Sequence, residues 1–321
     1  MSNFILEFEQ PLKEIEDKIN NLLISSDSTG IDVSESITEL ESELKEKKKE
    51  IYSNLSRWQK VQLARHANRP YSVDYIKLIV EDWFEIHGDR KYSDDMAIIS
   101  GIGRIGDSEV MIIAQEKGRG TKNKLKHNFG MPHPEGYRKA LRVMKLAEKF
   151  NIPILTLIDT PGAFPGIEAE ERGQAQAIAD NLFKMASLKV PIISVVIGEG
   201  ASGGALAIGL ADRILCMQNT WFSVISPEGC ASILFRNPQM APDAADSMKV
   251  SSQDLFDLGI ADDIIPEPLG AAHSDYKGAA SILKEYFLKH LNELKVLDTK
   301  TLLNYRHLKY EKIGEWESID E

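Results

Sequence analysis

The feature that most constrains this chain is the apolar run Val190-Pro-Ile-Ile-Ser-Val-Val-Ile197 and the small residues Gly198-Glu-Gly-Ala-Ser-Gly-Gly-Ala-Leu-Ala-Ile208 that follow it. A continuous apolar run bounded by glycines predicts a buried strand over 191–197. The residues after it predict a glycine turn over 198–204 opening a helix over 203–210. Glycines let a backbone turn sharply and bring its N–H groups close to a ligand. The first turn of a helix adds unpaired donors and a partial positive charge. Such a turn suits an oxyanion, which points to an enzyme rather than a scaffold.

A second turn of the same kind stands upstream. Asp159-Thr-Pro-Gly-Ala-Phe-Pro-Gly166 follows the candidate strand Pro153-Ile-Leu-Thr-Leu-Ile158 and leads into a helix around 168–187. Both turns leave the C-terminal ends of neighbouring strands, the edge at which open α/β sheets bind ligands. Other strands are expected at 96–102 and 109–115, joined by a Gly-Asp-Ser turn, and at 213–217 and 221–225. A helix is expected at 134–150. Strands alternating with single helices predict an α/β domain with a largely parallel sheet.

The first part of the chain reads as helical. Leu12, Ile15, Ile19, Leu22 and Leu23 form one stripe, and Val33, Ile37, Leu40, Leu44 and Ile51 form another. Lys47 interrupts the second stripe, which predicts a short helical hairpin or a partner contact rather than a long coiled coil. A further helix is expected over 72–86, with Tyr75, Ile76, Ile79 and Trp83 inward. From about 277 onward the chain is again helical and increasingly charged. The expected organisation is an N-terminal helical region over 1–95, a core over 96–270 and a C-terminal helical segment over 271–321.

Composition excludes several function classes. The 321 residues carry a formal net charge of −11, which argues against nucleic-acid binding as the main role. The two cysteines, Cys216 and Cys230, offer neither a disulfide framework nor a zinc motif. No apolar stretch approaches the roughly 18 residues that span a bilayer, and Glu7, Glu9 and Glu14 stand where a signal peptide would be basic. A cytoplasmic location, away from membranes, is expected.

Two local motifs have competing readings. Gly101-Ile-Gly-Arg-Ile-Gly106 matches a dinucleotide-binding pattern, but Asp107-Ser108 leads into a strand instead of the required helix, so a hairpin is expected. Gly200-Ala-Ser-Gly-Gly204 matches the serine-hydrolase elbow, and His273 lies downstream in the permitted order. That histidine sits in the small polar segment Gly270-Ala-Ala-His-Ser, which does not mark it as a base. A purely structural role, tight strand–helix packing, is the other alternative, as is a catalytically silent assembly subunit.

Lys117-Gly-Arg-Gly-Thr-Lys-Asn-Lys-Leu-Lys-His127 carries five basic residues and no acid in this acidic chain. It reads as a loop whose Lys117, Arg119, Lys122 and Lys124 are candidates to meet a phosphate or carboxylate; a solvated loop is the alternative. His127 and His133 have no metal-ligand spacing on one element, and no metal is expected in this chain.

The motifs His87-Gly-Asp-Arg90, Asn128-Phe-Gly-Met-Pro132, Pro134-Glu-Gly-Tyr-Arg-Lys-Ala140, Asp159–Gly166, Gly198–Ile208 and Ser226-Pro-Glu-Gly229 occur in one order over about residues 57–265. In these the sequence resembles the alpha subunits of the carboxyltransferase of bacterial multisubunit acetyl-CoA carboxylase. The tail beyond about 295 resembles them least. The resemblance implies a crotonase-like (ClpP/crotonase) α/β fold of repeated ββα units with helical extensions at both ends. It implies transfer of the carboxyl group of carboxybiotin, on a biotin carboxyl carrier protein charged by biotin carboxylase, to acetyl-CoA, giving malonyl-CoA for fatty acid biosynthesis. It also implies a beta subunit with a zinc ribbon and most of the acyl-CoA contacts, in an α2β2 assembly with the site between subunits. By analogy, Gly203, Gly204 and Ala205 supply backbone donors toward biotin. Phe164, Pro165 and Gly166, with Gly200, Ala201 and Ser202, shape the adjoining walls. Since decarboxylated biotin can accept the acetyl proton, no side-chain base is expected.

Overall fold

The computed structural model describes residues 4–314. Two helices, α1 (Gln10–Thr29) and α2 (Ser34–Ser53), pack as a hairpin across Gly30, whose φ of +72° ends α1 in a left-handed cap. Leu12 and Ile15 are buried at the inner end of the hairpin, Leu23 is exposed, and no described residue of α2 is buried. Next come α3 (Arg57–Ala64), opened by a Ser56/Gln59 capping box, and α4 (Ser72–Ile79).

The helix expected over 72–86 stops at Ile79, and Glu81–Glu85 is instead strand β1, paired antiparallel with β2 (Ile98–Ile105). Only Trp83 of its side chains is partly buried; the rest of β1 is exposed, as an edge strand should be. β2 and β3 (Ser108–Gln115) form the expected hairpin across Gly106-Asp107. Gly101 and Gly103 therefore lie on a strand: a Cβ at Gly101 would come within 2.7 Å of the Trp83 ring, and one at Gly103 within 2.3 Å of Val80. These glycines make room for Trp83 and Val80, and the helix that the dinucleotide pattern requires does not follow them.

Beyond β3 come α5 (Gly120–Lys126), α6 (Pro134–Phe150), β4 (Ile154–Thr160), α7 (Ile167–Glu171) and α8 (Gln174–Ser187). The helix expected over 168–187 is thus broken, at Gly173 with φ +82°. β5 (Ile192–Ala201) runs into α9 (Ser202–Leu206), followed by β6 (Arg213–Met217) and β7 (Trp221–Ser223). α10 (Pro227–Leu234), α11 (Ala241–Met248), α12 (Ser252–Asp257), β8 (Asp263–Ile265), α13 (Tyr276–Lys295) and α14 (Thr299–Glu311) follow in the described residues.

Among the described residues eight strands form one sheet in the order β1-β2-β3-β4-β5-β6-β8, with β7 added beside the end of β5. From β3 onward every pairing is parallel. Successive residues of a strand face opposite sides, and each side has its own core. Ile113, Ile154, Ile158, Ile192 and Val196 pack with Tyr137, Val143 and Met185 of α6 and α8. Ile112, Leu155, Leu157, Ile193 and Val195 pack with Tyr75, Leu283 and Phe287 of α4 and α13. Both faces are covered, so the central strands read as unbroken apolar runs.

Candidate active site

The two turns singled out in the sequence meet at the C-terminal ends of β4 and β5. A Cβ on Gly204 would lie 2.4 Å from the carbonyl carbon of Gly162 and 2.5 Å from the amide nitrogen of Ala163. The two loop backbones are therefore in direct contact, and only glycine permits it. The turn itself sits later than expected. β5 continues through Gly198, Gly200 and Ala201, and the chain reverses at Ser202, with φ +58°. The helix expected over 203–210 is the five-residue α9, so its contribution is first-turn N–H groups and not a long dipole.

The other glycines of the motif make room for side chains. A Cβ at Gly198 would fall 2.3 Å from the Asp159 carboxylate, and one at Gly200 would fall 2.2 Å from the Phe222 ring. Gly203 is different: its nearest neighbour, Ile178, is at 3.6 Å. Ser202, Gly203 and Leu206 line a pocket of about 310 Å³ with Phe222, Val224 and Met248. Gly204, Ala205, Gly200 and Ala201 are buried beneath it.

In the partner loop, Thr160 Oγ1 donates to Gly130 O and accepts from Gly162 N. The Phe164 ring packs on His133 at 4.1 Å between centroids, and Phe164 N donates to Pro132 O. A Cβ on Gly166 would strike the Phe164 ring at 2.5 Å, so this glycine lets the ring fold back over the loop. Pro165 is exposed beside it.

Beneath the loops lies a charge network. Lys117 Nζ reaches Asp159 Oδ1 at 2.6 Å and Glu199 Oε1 at 2.7 Å. Arg65 Nε donates to Glu199 Oε2 at 2.6 Å, and the same guanidinium pairs with Glu228 of α10. Burial raises the Asp159 carboxyl, and the Lys117 ammonium does not fully offset this. Burial also opposes ionisation of Glu199, but Lys117 and Arg65 together hold its pKa below the usual range. Burial disfavours the Lys117 ammonium, yet the two carboxylates keep its pKa raised.

This corrects the expectation for the basic stretch. Gly120–Lys126 is the helix α5, not a loop. Lys117 is held by two buried acids, and Arg119 pairs with Asp74 at 2.7 Å between the rings of Tyr71 and Tyr276. Lys122 and Lys124 are exposed, and Lys124 borders clefts of about 770 and 230 Å³.

The hydrolase alternative finds no base. His273 stacks on His66 at 3.9 Å and pairs with Glu9, and among the described residues no histidine hydrogen-bonds Ser202. Glu9, His66 and His273 do place potential ligand atoms within 4.8 Å of one another. However, His66 Nδ1 accepts from Asn68 N–H, so the neutral ring carries its proton on Nε2, the atom facing Glu9. The trio is a polar clasp for the N-terminal segment rather than a ligand set.

Sequence reasoning singled out neither Gln115, Asp159, Glu199, Arg65 nor Glu228 as individual site residues. Gln115 and Asp159 had a legible signal, a polar residue closing an apolar strand, as did Glu199 between two glycines. Arg65 had none, because it follows the end of α3, 134 positions before its partner Glu199.

Known proteins resemble this chain over nearly its full length. The family model described as acetyl co-enzyme A carboxylase carboxyltransferase-like matches residues 5–314. An acetyl-coenzyme A carboxylase carboxyl transferase subunit alpha from Flavobacterium psychrophilum is 54% identical over 312 residues, covering 97% of this chain and 98% of the relative. The subunit of that name from Campylobacter concisus is 54% identical over 317 residues, covering 99% and 100%. Among solved structures, transcarboxylase 12S superposes with a TM-score of 0.55 at 23% identity, over 68% of this chain and 42% of that one. The beta subunit of P. aeruginosa geranyl-CoA carboxylase gives 0.54 at 17% identity, over 73% and 43%. These likenesses show the crotonase-like fold of carboxyltransferases, and with the near full-length relatives they place the chain in the acetyl-coenzyme A carboxylase carboxyltransferase family.

Proposed function

We propose that this chain is the alpha subunit of the carboxyltransferase of a multisubunit acetyl-CoA carboxylase. It moves the carboxyl group of carboxybiotin, borne by a biotin carboxyl carrier protein, to acetyl-CoA, and the malonyl-CoA formed feeds fatty acid biosynthesis. The observation that carries this reading is 54% identity, over nearly the full length, to subunits of that name, together with a site where two glycine-bearing loops touch at Gly204.

The residues fit a biotin ring. Gly204 lets the two loop backbones meet, and Gly203, where a Cβ would have no neighbouring atom nearer than 3.6 Å, lines the adjoining pocket of about 310 Å³. Biotin supplies the carboxyl group and, once relieved of it, a base for the acetyl proton. The chain's own part is binding and orientation. Amides of Gly203, Gly204 and Ala205 donate toward the oxygen on which negative charge grows, each worth about 2.7–4 kcal/mol if lost. Phe164, Pro165 and Gly166 form one wall, with Gly200, Ala201 and Ser202 beside it. Lys122 and Lys124 remain available to an anionic partner or to the CoA phosphates.

A beta subunit completes the site with its zinc ribbon and acyl-CoA contacts, in an α2β2 assembly working in the cytoplasm with biotin carboxylase. No helix among the described residues is long and apolar enough to cross a membrane. The test is malonyl-CoA-dependent carboxylation of free biocytin by this chain alone and mixed with a zinc-ribbon beta subunit. Activity only in the mixture supports the reading. Inactivity of both, with ester hydrolysis by the lone chain that a serine-directed inhibitor blocks, overturns it.

A further inference from the structure

The Gln115 side chain touches both loops of the site at once. It closes β3, is wholly buried, and its Nε2 donates to Gly204 O at 2.7 Å while its Oε1 accepts from Asp159 N at 3.1 Å. A backbone N–H only donates and a carbonyl only accepts, so these partners fix which end of the amide is which. The residue is itself held firmly: its backbone pairs with Ile98 across the hairpin, and its carbonyl accepts from Ser72 Oγ at 2.6 Å.

Gly204 O depends on this contact. The helical ladder would give it the N–H of Ile208, but Ile208 N donates to Ala205 O instead. Besides Gln115, among the described residues only the Tyr137 hydroxyl approaches Gly204 O, at 3.5 Å. The carbonyl of Gly204 and the N–H of Ala205 belong to one planar trans peptide and point in opposite directions. Holding the carbonyl toward the interior turns the Ala205 N–H away from it.

We infer that Gln115 is a positioning residue: through the Gly204–Ala205 peptide it aims a backbone donor of the site, and through Asp159 N it ties that peptide to the 160–166 loop. This rests on the carboxyltransferase reading above. Gln115 need not touch substrate. It removes the freedom of one peptide plane to rotate, and misplacing a reacting or donor group by about 1 Å costs on the order of 100-fold in rate.

The experiment uses the complex of this chain with its beta subunit, assayed for malonyl-CoA-dependent carboxylation of biocytin. Gln115→Met keeps the side-chain volume without the amide, and Gln115→Asn keeps the amide but is one methylene too short to reach both partners. Thr156→Val serves as comparison: it removes a buried 2.7 Å bond to Ser194 on adjacent strands, away from both loops. The expected result is a kcat lowered roughly 10- to 100-fold in both Gln115 variants, with KM for malonyl-CoA and biocytin within about two-fold. Thr156→Val lowers the thermal midpoint and keeps kcat. Wild-type kcat in either folded Gln115 variant overturns the inference, and so does an equal fall of kcat in Thr156→Val. An inactive wild-type complex would be the failure of the functional reading instead.

Discussion

At the scale of single residues, the site rests on which glycines are indispensable. Gly204 has backbone within 2.5 Å of where a Cβ would stand, whereas the nearest atom at Gly203 is 3.6 Å away. Gly204→Ala should therefore lower biocytin carboxylation by about 100-fold or more, because the 162–163 backbone must give way. Gly203→Ala, and Ser202→Ala beside it, should retain most of the activity. Abolition by Ser202→Ala with the fold intact would restore a nucleophilic serine. Lys122→Glu with Lys124→Glu should raise KM for acyl-CoA or for the carrier, since both side chains are exposed; unchanged constants would leave α5 a solvated helix. The glycines were legible in the sequence because their spacing is local. The roles of Lys117 and Arg119 were not, since a basic residue looks the same in composition whether it meets solvent or two buried acids.

At the scale of elements, periodicity identified α6, β3 and β4 to within a residue or two, because those segments bury one face or both, whereas β5 runs four residues past its expected end and β2 lies two to three residues later than expected. It failed at 81–85, where Trp83 continued the helical stripe but the edge strand β1 was the outcome. The short helices α3, α10, α11 and α12 span only six to eight residues each and left no periodic pattern to read. The last helix shows the same limit. Beyond 295 the sequence offers no motif, yet Arg306 of α14 is 1% exposed. Its guanidinium donates to both Asp212 oxygens at 2.8 Å and to the carbonyls of Met185, Leu188 and Val190. It thereby caps the C-terminal end of α8 and joins it to the start of β6. Arg306→Met leaves Asp212 buried without its cation and should cost about 3–5 kcal/mol in thermal or denaturant unfolding.

At the scale of the whole molecule, the N-terminal hairpin is fastened by Glu9 against His66, His273 and Tyr52. Burial, and next the neighbouring His273, push the His66 imidazole down to about 4. Burial alone would raise the Glu9 carboxyl, but hydrogen bonds from His273, Tyr52 and the Leu6 N–H bring it down to about 2. The unfolded chain protonates His66 near pH 6.5, so between 6.5 and 4 it binds more protons than the folded chain, and stability falls as pH falls. The Glu9 contribution, complete above about 4.5, is lost as pH drops toward 2. The thermal midpoint should decline from pH 6.5 downward, with His66 contributing on the order of 1–3 kcal/mol. His66→Asn should flatten that slope between 6.5 and 4, and an unaltered slope would assign it to other groups.

The two sulfurs have unequal fates. Cys216 lies within the sheet, where burial and then Asp262 push its thiol up to about 12. Cys230 is half-buried on α10, the helix that brings Glu228 to Arg65. A maleimide dye offered to the native chain should consequently label one position per molecule, and Cys230→Ser should abolish labelling. The natural sequence thus provides a single optical handle on the helix that joins the buried charge network to the outside, through which arrival of a second subunit could be watched in real time.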